Sequence, residues 1–139
     1  MRKLLAALFV FAVARSAGMP LHAYASAPAP CSVRGGDRLV LYGFGDDPDV
    51  LAWDSRFRLR EYYAASFDEA EQLLPHAAVE PAGTRALVQV CVAGFVQSPL
   101  FSAPEDAVGV TILSGHDRGI GKWVLGTDVR VERTAKNRK

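Results

Sequence analysis

The chain has 139 residues, with 16 lysine and arginine side chains against 15 aspartate and glutamate, and only two cysteines. That length fits one domain with room for a real core. The near-even charge excludes the strongly basic footprint of a nucleic-acid binder. The cysteines, Cys31 and Cys91, are too far apart for a C-x-x-C redox motif.

The first residues set the compartment. Arg2 and Lys3 precede an apolar run, Leu4 to Ala14, and a more polar stretch then ends in Ala23-Tyr24-Ala25. This order of charge, apolar run and A-x-A site predicts a secretory signal peptide over 1–25. As a helix the apolar run reaches only ~16 Å, short of a ~30 Å hydrocarbon core, so it is not read as a membrane anchor. Pro28-Ala29-Pro30 before Cys31 does not fit a lipid-attachment triplet. Cleavage after Ala25 leaves 114 residues with thirteen basic and fifteen acidic side chains, because Arg2, Lys3 and Arg15 depart. Ser26 to Val129 then carries eight basic and fourteen acidic groups, and Arg130 to Lys139 carries five basic and one acidic. The expectation is a single acidic domain over 26–131, a disordered basic tail over 132–139, and no transmembrane helix in the mature chain. Export places both cysteines in an oxidising compartment, secreted or periplasmic, where only one intramolecular pairing exists. A Cys31–Cys91 disulfide would stabilise the fold by roughly 4 kcal/mol in the chain-entropy model.

After the lead-in Ser26–Pro30, Leu39 to Tyr42 reads as a strand and Gly43 to Asp49 as a loop dense in turn formers. Val50 to Trp53 is a second apolar run. Phe57, Leu59 and Glu61 alternate with Arg56, Arg58 and Arg60, a period of two that predicts a strand with one wet face, hairpinned to Val50–Trp53. Ser66 to Leu74 is the one predicted helix. Ser66 and Glu69 form an S-x-x-E capping box, Phe67, Ala70 and Leu74 share a face, and Pro75 stops the run. Ala86 to Val92 is the strongest strand, Gly94 to Asp106 is irregular, and Val108 to Leu113 is a further strand. Ser114 to Gly121 is a glycine-rich turn. Lys122 to Leu125 returns as a strand, and a last strand or 3₁₀ turn lies near Asp128 to Val131. The fold class expected is mostly β (α+β): a small rolled sheet or barrel with one short helix.

The segment Asp106 to Val129 carries Val108, Val110, Gly115, Gly119, Gly121 and Trp123-Val124. It resembles the closing half of bacterial SH3-like domains, where a strand, a glycine-rich turn and a G-W-V strand complete a five-stranded barrel. Lys122 stands where that pattern has its glycine. The resemblance covers about 25 residues and implies a binding role toward cell-wall peptide, polypeptide or another envelope protein, with no catalytic residue implied. Otherwise the chain resembles small exported bacterial proteins without an assigned role.

No cofactor motif is present. Asp46, Asp47, Asp49 and Asp54 cluster around a turn but lack EF-hand spacing, and read as turn residues. His76 and His116 have no metal spacing. His116 beside Asp117 would be one arm of an acid–base site, but Ser66, Ser98, Ser102 and Ser114 lie in no nucleophile motif. Trp53, Tyr62, Tyr63, Phe95, Phe101 and Trp123 are the aromatic stock. Trp53 and Trp123 are expected to be partly exposed. With Arg58 and His116 they are the candidate ligand-binding residues, since Trp, Tyr and Arg dominate binding patches. The sequence therefore favours an exported, non-enzymatic binding module, with peptidoglycan or an envelope protein as partner. A small envelope hydrolase, or an inhibitor or accessory subunit of another exported protein, are the rivals.

Overall fold

The computed structural model describes residues 29–132. The signal-peptide expectation lies outside them, as does the tail from 133 onward. Seven strands form one antiparallel sheet: β1 (Arg38–Leu41), β2 (Asp49–Trp53), β3 (Ala77–Pro81), β4 (Arg85–Val96), β5 (Glu105–Ile112), β6 (Gly121–Leu125) and β7 (Val129–Val131). Their spatial order is β3-β2-β6-β5-β4-β1-β7. Two helices, α1 (Arg56–Ala64) and α2 (Phe67–Leu73), lie between β2 and β3. The architecture is thus mostly β, as the turn-rich pattern predicts, but with two helices rather than one. No helix among the described residues is long and apolar enough to cross a membrane.

The sheet curls so that its inner face closes on itself. Leu39 and Leu41 of β1 and Val50 and Ala52 of β2 share one core with Ala86, Val88, Val108, Val110, Ile112 and Val124. The curl is fixed where the β3–β4 turn meets β1: Gly83 N donates to Leu41 O at 2.7 Å and Leu41 N to Thr84 O at 2.8 Å. A second core lies on the outer face, where Trp53, Ala107, Leu125 and Val96 are covered by Leu59 of α1. Strand β5 is buried on both faces, which explains its unbroken run of buried residues from Ala107 to Val110.

Residues 56–62 form helix rather than the predicted strand, so no hairpin joins them to Val50–Trp53; β2 pairs instead with β3 and β6. Ser55 caps α1, its hydroxyl accepting from Arg58 N at 3.2 Å. Leu59, Tyr62 and Tyr63, at i, i+3 and i+4, give α1 its apolar stripe, and Arg, Leu and Glu are good helix formers. These outweigh an alternation too short to decide between periods. Helix α2 carries the predicted capping box, with Ser66 N donating to a Glu69 carboxylate oxygen at 3.0 Å. That bond, and the Ser66 hydroxyl beside it, hold the Glu69 carboxyl below the ordinary range.

Cys31 and Cys91 form the expected disulfide. Asp106 sits beside it and accepts from Ser32 N at 3.0 Å, Ser32 Oγ at 3.2 Å and Gly94 N at 3.0 Å. The start of the domain is therefore fastened to central strands both covalently and by hydrogen bonds. Glu132, placed with the tail by sequence, belongs to the body. Its N–H donates to Arg38 O, and its carboxylate lies 2.8 Å from Arg85 Nε.

Candidate functional site

The outer face carries an arginine–aromatic surface. Arg56 and Arg60 stand four apart on α1 and so share one side of it. The Arg56 guanidinium lies over Phe57, Phe95 and Trp123, at 5.0, 5.3 and 5.9 Å from the ring centroids. Arg60 lies over Phe57 at 5.5 Å and Phe95 at 4.8 Å. The two phenyl rings meet edge to face at 5.8 Å. Phe57 is 53% exposed. An open depression of about 520 Å³ is lined by Phe57, Arg60, Glu61, Ala64, Phe95 and Gln97. Neither Arg56 nor Arg60 makes an ion pair among the described residues; the pairs there are Arg58–Asp54, Arg85–Glu132 and Lys122–Asp117.

Trp123 reaches this surface because of what lies beneath it. It pairs across strands with Gly109. A Cβ on Gly109 would stand 3.2 and 3.3 Å from the indole and 2.9 Å from Val90 Cγ1. Only glycine lets the indole lie down on β5.

The four residues named from sequence do not form one site. Trp123 is half-buried in the arginine–aromatic surface. Trp53, expected to be partly exposed, is fully buried: α1 folds over it, and the tilted Tyr62 ring packs on it with centroids 4.8 Å apart. Its indole N–H has no acceptor among the described residues. Arg58 pairs with Asp54 at 3.6 Å, with one guanidinium nitrogen buried and unpartnered. It does not share a face with Arg56 and Arg60, because two residues along a helix turn it to the opposite side. His116 is exposed in the β5–β6 turn. Arg56 and Arg60 converge on Phe57 and Phe95 through an i,i+4 spacing that the alternating sequence pattern does not reveal.

His116 borders a different cluster. Glu80 of β3 pairs across strands with inner-facing Val50 and is 3% exposed. Burial, a hydrogen bond with Asp117 and the Asp117 charge push its carboxyl upward, while Lys122 and His116 pull it down. Lys122 Nζ stands 3.6 Å from Asp117. The group brings together two carboxyl groups, an amine and an imidazole. Ser114 Oγ accepts from Arg85 N, and the Ser66 and Ser98 hydroxyls are engaged with Glu69 and Leu100 N.

Two other features complete the surface. Burial, then the Asp47 and Glu105 charges, push the Asp128 carboxyl up to about 6. Burial, then the charge of Asp128, pushes the Tyr63 hydroxyl upward. Tyr62, Tyr63, Phe67 and Leu100 line an apolar groove of about 400 Å³, with Phe67 and Leu100 largely exposed. The acidic run behaves as turn chemistry: Asp47 accepts from Asp49 N at 3.0 Å, and Asp54 pairs with Arg58.

Comparison with protein-family models, with curated proteins and with solved structures gives no match.

Proposed function

We propose that the protein is an exported, non-enzymatic binding module that engages its partner through the surface of Trp123, Phe57 and Phe95. The observation that carries this reading is the Arg56 guanidinium held over three aromatic rings. Aromatic and arginine side chains supply most hot-spot energy at interfaces, and stacking reduces the rotamer freedom they lose on binding. The signal-like start of the chain, the disulfide and the likeness of 106–129 to SH3-like domains accord with a role in the envelope. The partner is cell-wall polymer or an envelope protein. The hydrolase reading draws its support from the Glu80–Asp117–Lys122–His116 cluster, for which the sequence supplies no nucleophile motif.

The test is sedimentation of the oxidised domain with isolated cell-wall sacculi across salt concentrations. Pelleting that survives ~0.5 M salt, where exposed charges are screened within a few ångströms, and that Phe57→Ser abolishes, is the expected result. If no salt concentration gives pelleting, the wall polymer is excluded and capture from envelope proteins decides. If Phe57→Ser leaves both kinds of binding unchanged, the surface is misassigned.

A further inference from the structure

We infer that Arg56 and Arg60 form a two-guanidinium subsite for the carboxylates of an acidic peptide stretch. This rests on the binding surface proposed above and names its chemistry. Two like charges at i and i+4 normally repel and splay into solvent. Here both guanidinium groups lie within 5.5 Å of the Phe57 centroid and within 5.3 Å of the Phe95 centroid. The negative ring faces hold them together.

The surrounding charge does not account for them. Ser26 to Val129 carries eight basic against fourteen acidic side chains, yet these two arginines have no ion-pair partner among the described residues. Arg58, between them in sequence, is occupied by Asp54. Glu61 borders the depression without pairing with either. Beside the rings, each guanidinium is free of ion pairs among the described residues, and a guanidinium fork can take a carboxylate through two parallel hydrogen bonds. The exposed Phe57 ring beside them favours an anion attached to apolar or backbone material over a free, strongly hydrated one. An acidic peptide provides that combination.

The experiment is a titration of the intact, oxidised domain followed by the arginine Nε–Hε resonances. The probes are a capped Glu-Ala-Glu peptide, a capped Gln-Ala-Gln peptide and inorganic phosphate. The acidic peptide is expected to move the Arg56 and Arg60 signals together and saturably, with half-saturation on the order of 1 mM or tighter. The Arg58 signal and the Gln peptide should show no such response. Arg56→Gln with Arg60→Gln should weaken binding about tenfold or more, and the double lysine variant should fall between, since lysine keeps the charge but not the planar fork. Absence of saturation in the wild-type domain overturns the inference, as does unchanged affinity in the double glutamine variant. Phosphate binding as tightly as the peptide overturns the assignment to peptide carboxylate. If sedimentation survives the double glutamine variant but not Phe57→Ser, the inference fails while the binding surface stands.

Discussion

Trp53 and Trp123 are direct cross-strand partners, joining β2 to β6, yet one is wholly buried and the other reaches the surface. The difference comes from the helical cover. Trp53 lies against Tyr62 in the second half of α1, whereas Trp123 lies at the start of the helix, with the Arg56 guanidinium 5.9 Å from its ring. Trp53→Ala should therefore cost about 3–5 kcal/mol, the usual range for truncating a large buried aromatic. Phe57→Ser should cost only about 1 kcal/mol, since the ring is half exposed and loses one edge-to-face contact and its cation–π contacts. Chemical denaturation of both variants tests the contrast; equal losses would mean that Phe57 is part of the core.

Gly109 links packing to binding. A methyl group there would meet Val90 Cγ1 at 2.9 Å and press on the indole of Trp123. Gly109→Ala should destabilise the domain by roughly 1–3 kcal/mol through overpacking. It should also shift tryptophan fluorescence and weaken partner capture. A variant with unaltered fluorescence and capture would show that the indole has another place to go.

Asp128 makes stability depend on pH. Its carboxyl lies at about 6 when folded, against 3.8 ordinarily, because burial and then the Asp47 and Glu105 charges disfavour ionisation. The folded state thus holds this proton more tightly than the unfolded chain. The resulting stability is fully present below about pH 4 and is lost as pH rises through about 6. Asp128→Asn removes the dependence, so the variant should gain on the order of 2 kcal/mol over the wild type at pH 8 and little at pH 4. Glu80 and Glu105, also shifted upward mainly by burial, keep a residual slope of the same sign in both proteins. Thermal unfolding between pH 4 and 8 tests this; a constant difference between the two proteins would refute it.

The disulfide closes a loop with a sequence separation of 60. Replacing both cysteines by serine should cost about 4 kcal/mol in the chain-entropy model. Asp106→Ala, which removes three hydrogen bonds to Ser32 and Gly94, should loosen the same lead-in. Hydrogen exchange at Ser32 and Gly94 should rise in both variants, and unchanged protection would assign the anchoring elsewhere.

Strands, turns and the disulfide were legible because their signals are local: β-branched runs, glycine turns, and a cysteine pair with one possible partner. The capping box of α2 was legible for the same reason. Helix α1 was not, because R-F-R-L-R-E-Y satisfies both periods and only the tertiary cover over Trp53 decides between them. Strand β3 was also missed. Ala77-Ala78-Val79-Glu80-Pro81 carries little β-branched character, and its place at the sheet edge comes from pairing with β2. The arginine–aromatic surface depends on α1 being a helix, so it was hidden with it. Trp123 keeps the partial exposure its glycine-rich surroundings imply, whereas the helical layer buries Trp53.

Strand β4 carries one more consequence. Ala86, Val88, Val90 and Val92 alternate without a break in sequence, but a bulge between Val88 and Val90 reverses the pleat. Ala86 and Val88 therefore pack inside the curled sheet, and Val92 packs outside under the helices. Sliding β4 by one residue would expose one of these layers whichever way it moved. The irregularity thus acts as a ratchet tooth: it admits a single alignment of the longest strand, which serves both packed layers at once.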